Sequence, residues 1–218
     1  MRRLLFLGLL AGCATAGSEQ QNTGVDAATD GKTVDAAPDA PAVCNEVVTE
    51  LLVNPAFDGT PMGMGWMQTP IDAMYPLVTG DGNGTTLGIA EQSAPYDAWL
   101  GGLAGTDILS QDVAVPARTR LLILTGFYEV RTGETVATAV DTGSLAFVDT
   151  NNSPIATVQS LDNTKKTTTW TTLNYAVSNA PALSGTTIRL RMTSTNNATL
   201  FTSFWWDTMS LKATHCMP

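Results

Sequence analysis

The sequence predicts an all-β fold of two packed antiparallel sheets, and three observations carry that expectation. Short apolar segments recur about every ten to fifteen residues between Gly, Pro, Asn and Asp clusters, a spacing typical of sandwiches and jelly rolls. Threonine is the second observation: the chain of 218 residues contains 33 of them, and a β-branched side chain suits a pleated sheet better than a helix. The third is the low share of charge, 14%, against the ~25% usual for soluble domains.

In chain order, the segments of strand character are Val47 to Val53, Met74 to Val78, Leu87 to Glu91, Ala98 to Gly101, Ile108 to Val115, Arg120 to Val130, Ser144 to Asp149, Ile155 to Ser160, Trp170 to Val177, Thr187 to Thr195 and Thr202 to Leu211. No stretch between them has convincing helical periodicity. In Thr187 to Thr195, Ile188, Leu190 and Met192 alternate with Arg189, Arg191 and Thr193, which predicts one buried face and one wet face. Leu121 to Leu124 is apolar on both faces, so that strand is expected to lie centrally or to line a groove. Asp149 to Pro154 has the chemistry of a hairpin loop, and Gly80 to Gly84 reads as a turn or a cation loop rather than a phosphate loop.

Ahead of these segments the chain changes character. Residues 1 to 12 comprise two arginines, an apolar run from Leu4 to Ala11 and a small residue before Cys13, which reads as a signal peptide too short to span a bilayer. Leu10-Ala11-Gly12-Cys13 resembles the bacterial lipobox, which implies cleavage before Cys13 and a lipid on its thiol. Ala14 at the next position implies the outer membrane by the same family rule. Residues 13 to 43 are rich in Ala, Asp, Thr, Gly and Pro without periodicity and read as the lipidated Cys and a disordered tether, with a reach of roughly 30 Å. The domain is expected over residues 44 to 218. Cys44 opens it and Cys216 nearly closes it, and in an oxidising compartment a disulfide between them is the economical reading.

Composition also excludes functions. A net charge of −9 leaves no basic surface to neutralise phosphates, so nucleic acid is not an expected partner. His215 is the only histidine, so no multi-His zinc site can form, and any Ser-His-Asp or Cys-His unit would have to be built around it. Cys216 and His215, adjacent on a strand, point to opposite faces, and His215 is expected to be an exposed residue near the terminus. No local motif marks a catalytic carboxylate pair, and the chain is read as a non-enzyme.

Three blocks carry a family resemblance. Leu51-Leu52-Val53-Asn54-Pro55-Ala56-Phe57-Asp58, followed by Gly65-Trp66, resembles the start of bacterial jelly-roll carbohydrate-binding modules of the cellulase and xylanase type. Ala98 to Gly102 and Leu109 to Ala117 resemble the galactose-binding-like jelly roll found beside metalloproteases of the immune inhibitor A type, and Phe201 to Leu211 resembles that group's closing T-S-F-x-I-D-D-V-S-L. The resemblance implies a galactose-binding-like jelly roll that binds a glycan without catalysis. It also implies a structural calcium ion held by Asp58 and Asp207. Asp58 is one methylene shorter than the family's usual Glu, and Thr208 stands where its second Asp would be. The other reading of both acids is as turn residues that accept backbone N–H bonds.

Of five tryptophans, Trp66, Trp99, Trp170 and Trp206 match apolar core positions of the pattern. Trp205 alternates with Phe204 and Trp206, so it is expected to project from the opposite face and, with Tyr96, Asp97 and Tyr128, to contact a sugar. The partner expected is a carbohydrate, or alternatively a surface protein met by an adhesion module with no sugar site.

Overall fold

The computed structural model describes residues 44–80 and 89–217. Eleven strands are present among them: β1 (Glu46–Glu50), β2 (Met67–Thr69), β3 (Val78–Gly80), β4 (Tyr96–Gly101), β5 (Gly105–Ala114), β6 (Thr119–Thr132), β7 (Thr142–Val148), β8 (Pro154–Asp162), β9 (Thr171–Ala176), β10 (Thr187–Asn196) and β11 (Thr202–Cys216). The only helical elements among the described residues are the short 3-10 turns Asn163–Lys165 and Ala180–Leu183.

Every pairing is antiparallel, in two sheets. One runs β3-β4-β11-β6-β9 and the other β2-β5-β10-β7-β8. Counting β4 to β11 as first to eighth, the two sheets read first-eighth-third-sixth and second-seventh-fourth-fifth, which is the wiring of a jelly roll. β11 is long enough to serve two partners along one edge. Its first half pairs with β4 (Trp205 opposite Trp99), and its last residues pair with β1 (Cys216 opposite Glu46).

Side-chain alternation explains why the sheets face each other as they do. In β10, Ile188, Leu190 and Met192 are buried, while Arg189, Arg191 and Thr193 are only half-buried on the outer face. Arg189 there forms an ion pair with Asp112 of β5. β6 lies between β11 and β9, the central position expected for Leu121 to Leu124: Leu122 and Leu124 are in the core, and Leu121 reaches solvent. The core between the sheets is filled by Phe57, Trp66, Leu100, Leu109, Phe147, Phe204 and Trp206 among others.

Several boundaries differ from the sequence reading. β2 has only three residues, too few for a period of two to show, and was not expected. The Met74 to Val78 segment instead bends, and the strand begins at Val78. Residues 89–91 are not a strand, and β11 continues past Leu211 to Cys216 because β1 gives that stretch a partner. His215, expected to be exposed, is half-buried opposite Val47, its Nε2 3.1 Å from the Thr49 hydroxyl. The Asp149 to Pro154 loop does close the β7–β8 hairpin, with Asp149 Oδ1 accepting from the backbone N–H of Asn151 and Ser153.

Cys44 and Cys216 form the expected disulfide, their Cα atoms 5.1 Å apart and 172 residues apart in sequence, a bond that fits an oxidising compartment. Among the described residues, no helix is long and apolar enough to cross a membrane. The leader, Cys13, the tether and most of the Gly80 to Gly84 turn lie outside the described residues.

Candidate functional site

Trp205 does project opposite Phe204 and Trp206, but it is 1% exposed. Its strand is internal to the sheet, and Trp99 of β4, in register with it, stacks on its ring at 5.1 Å with the planes 4° apart. Tyr128 is half-buried and tilts against Trp206 at 5.8 Å, and Tyr96 is half-buried against the core. Asp97 is buried, on the same outer face of the sheet as Trp99. These four residues therefore offer no exposed ring and do not make a stacking platform. Trp66 and Trp206 occupy the core as expected. Trp99 and Trp170 do not: Trp99 lies on the sheet's outer face, and Trp170 is half-buried and donates its indole N–H to the Ala90 carbonyl at 3.0 Å.

An aromatic-lined cleft does open at the edge of the sandwich, between the loop Pro70–Leu77 and the β4–β5 hairpin. Tyr75, Trp99 and Leu103 supply its apolar walls, and Asp72 and Asp107 its carboxylates. Its enclosed volume is about 50 Å³, well below the ~300–1,000 Å³ usual for ligand pockets, so it is a shallow cleft that could hold an edge or one ring of a ligand rather than engulf it. Tyr75 and Leu103 are about half exposed, at 48% and 49%, so both present free surface at the mouth.

Local chemistry fixes each wall. Asp72 Oδ1 accepts from the Met74 N–H at 2.8 Å, an Asx turn that bends the loop. The loop is then fastened to the sheets by two bonds: the Leu77 N–H donates to Gln68 Oε1 at 2.7 Å and the Trp99 N–H donates to the Leu77 carbonyl at 2.8 Å. The hairpin needs glycine at two positions. A Cβ on Gly101 would sit 2.2 Å from the Thr202 carbonyl oxygen, and one on Gly102 2.5 Å from the Trp99 ring. Asp107 Oδ2 accepts from the Gly101 N–H at 2.8 Å and lies 3.4 Å from the Ser194 hydroxyl. Burial raises the Asp107 pKa, and these two bonds oppose the rise. No Lys or Arg lines the cleft.

The sequence reading missed Tyr75, Asp72 and Leu103. The available signal was the segment Pro70-Ile71-Asp72-Ala73-Met74-Tyr75-Pro76, an aromatic and an acid in a loop bounded by two prolines.

Asp58 and Asp207 are brought together, by hydrogen bonds through Ser93. The Ser93 N–H donates to Asp207 Oδ2 at 2.7 Å, and its hydroxyl donates to Asp58 Oδ2 at 3.0 Å. The Tyr96 N–H donates to Asp58 Oδ1 at 3.1 Å, and the Thr208 N–H to Asp207 Oδ1. Thr208, at φ 49°, sits in the bulge that follows Asp207. Burial and the Asp58 charge push the Asp207 pKa up to about 6, against the N–H bonds that lower it. Calcium takes six to eight oxygens. Here every oxygen of both carboxylates already accepts a donor, and among the described residues no three Asp, Glu, His or Cys side chains converge as metal ligands. In the structure hydrogen bonds make this joint, and each carboxylate oxygen keeps a second lone pair that a calcium ion could use.

The wiring and the cleft together define a jelly-roll β-sandwich with a small open site at one edge. No protein-family model matches the chain, and no curated protein sequence matches it significantly. Solved structures do show similarity. TmCBM61, solved in complex with beta-1,4-galactotriose, shares 14% identity over 75% of this chain and 97% of its own, with a TM-score of 0.49. The CBM22-1 xylan-binding domain of Paenibacillus barcinonensis Xyn10C shares 14% identity over 81% and 100%, with a TM-score of 0.43. The K3 cleaved adhesin domain of Lys-gingipain from Porphyromonas gingivalis w83 shares 18% identity over 76% and 99%, with a TM-score of 0.42.

Proposed function

We propose that the domain is a non-catalytic glycan-binding module, held at the outer membrane by a lipid on Cys13, and that its sugar site is the cleft between Pro70–Leu77 and the β4–β5 hairpin. The observation that carries this reading is the pairing of an exposed Tyr75 ring and the Trp99 wall with the Asp72 and Asp107 carboxylates on a fixed scaffold. Sugars present an apolar ring face flanked by hydroxyls. An aromatic wall takes the face, and carboxylate oxygens accept from the hydroxyls. Both acids are already engaged in holding backbone N–H groups, which favours binding over acid–base chemistry.

The test is retention of the full chain on immobilised plant, fungal and bacterial polysaccharides. Wild type is expected to be retained by at least one of them, and Tyr75→Ala to bind at least tenfold more weakly with an unchanged melting temperature. Retention equal in the two proteins would remove the site from the cleft. Retention by none of the polysaccharides would favour the adhesion reading, which has its own supporting observation: Ile71 and Met74 stand 91% and 75% exposed at the rim, apolar surface of the kind that meets another protein.

A further inference from the structure

The cleft at Tyr75 and Trp99 has a charge that its aromatic walls do not require. Asp72 and Asp107 both line it, and no Lys or Arg does. Among the described residues, basic side chains pair with Glu46, Glu129, Asp162 and Asp112, and with neither cleft acid. Each of the two spends one oxygen on the scaffold. Asp72 Oδ1 accepts from the Met74 and Tyr75 N–H groups, and Asp107 Oδ2 from the Gly101 N–H. No described residue donates to Asp72 Oδ2 or Asp107 Oδ1. Asp72 is exposed and Asp107 half-buried, so the pair forms an unneutralised negative lining that a ligand can reach.

We infer that the cleft selects a basic glycan, one whose units carry a free amino group as in glucosamine oligomers, over its neutral and acidic counterparts. This selectivity rests on the glycan reading above. A sugar entering the cleft displaces water from both carboxylates. Neutral hydroxyls return hydrogen bonds alone, whereas an ammonium returns hydrogen bonds and the opposite charge that a desolvated carboxylate needs. A uronate or sulfate would add a further negative charge beside two that have no counter-ion. An ammonium held against Tyr75 or Trp99 is also attracted by the ring face. The shallow shape suits this ligand, because a ring amino group projects from the sugar's edge and needs no deep pocket. Burial raises the Asp107 pKa, as expected of a carboxylate without a cation beside it.

The experiment titrates the full chain by calorimetry, at physiological salt and pH 6, with soluble trisaccharides of glucosamine, N-acetylglucosamine, glucose and galacturonic acid. Glucosamine is expected to bind about tenfold more tightly than its N-acetyl form, the difference a charge-assisted contact makes, and galacturonate not to bind. Asp72→Asn with Asp107→Asn keeps an oxygen for each backbone N–H, and this double variant is expected to lose the preference for the amino form. Tyr75→Ala leaves every charge in place, so it should weaken glucosamine binding only if the ion sits in the cleft. Equal or tighter binding of the N-acetyl or glucose trisaccharide, or binding of galacturonate, overturns the selectivity and leaves the glycan reading standing. So does a preference that survives either variant, which would place the attraction elsewhere on the surface. Binding of none of the four, together with no retention on any polysaccharide, overturns both.

Discussion

Asp97 is 3% exposed, its Oδ1 has no hydrogen-bond partner, and burial, with the nearby Asp207 and Glu91 charges, pushes its pKa up to about 8. Asp207 is raised to about 6, and both would ordinarily titrate near 3.8. Between pH 4 and pH 8 the folded chain therefore holds protons that the unfolded chain has released, so these two residues make stability fall as pH rises through that window. The melting temperature is expected to be higher at pH 5 than at pH 8. Asp97→Asn should raise it at pH 8 by roughly 3 °C or more, about the effect of ~1 kcal/mol in a domain of this size, and leave pH 5 little changed. An identical pH profile in wild type and variant would show that Asp97 does not titrate in this range. The same neighbourhood marks the limit of what the sequence discloses about single residues. Alternation around Trp205 correctly set its side of the strand, because that depends on period two alone. Its burial depends on Trp99 from another strand lying in register beside it, and register across 106 residues leaves no local trace.

Elements were legible where they are long and one-faced. β10 shows its buried and wet faces in three consecutive alternations, and the Asp149 to Pro154 loop shows its hairpin in its turn residues. β2 was not legible, because three residues exist as a strand only through pairing with β5. The cleft was missed for the same reason: its walls come from a loop and a hairpin that only the sheets bring together. The joint between the Asp58 loop and β11 was half legible. The two acids were identified, but not Ser93, which bridges them. As a hydrogen-bonded joint, it predicts that a chelator leaves the melting temperature of the protein unchanged. A fall on chelation, restored by added calcium, would place an ion between Asp58 and Asp207 and sink the metal-free reading.

For the molecule as a whole, the jelly-roll wiring could be anticipated because many short strands with no helices between them have few ways to close. The Cys44–Cys216 bond spans nearly the whole domain, and loops of this length gain the most from closure in the chain-entropy model. Replacing both cysteines by Ala is expected to cost about 2 to 5 kcal/mol, read from denaturant midpoints. An unchanged midpoint would mean that the β1–β11 ladder holds the ends together unaided.

The position of that bond also has a mechanical consequence. Cys44 lies two residues before β1, and Cys216 is the last residue of the strand that β1 pairs with. A pull on the chain before Cys44, with a ligand gripped elsewhere, would otherwise peel β1 from β11 one rung at a time. The sulfur bridge passes that load past β1 into the end of β11, the longest of the described strands. Tension applied from the amino-terminal side thereby bypasses the β1–β11 rungs.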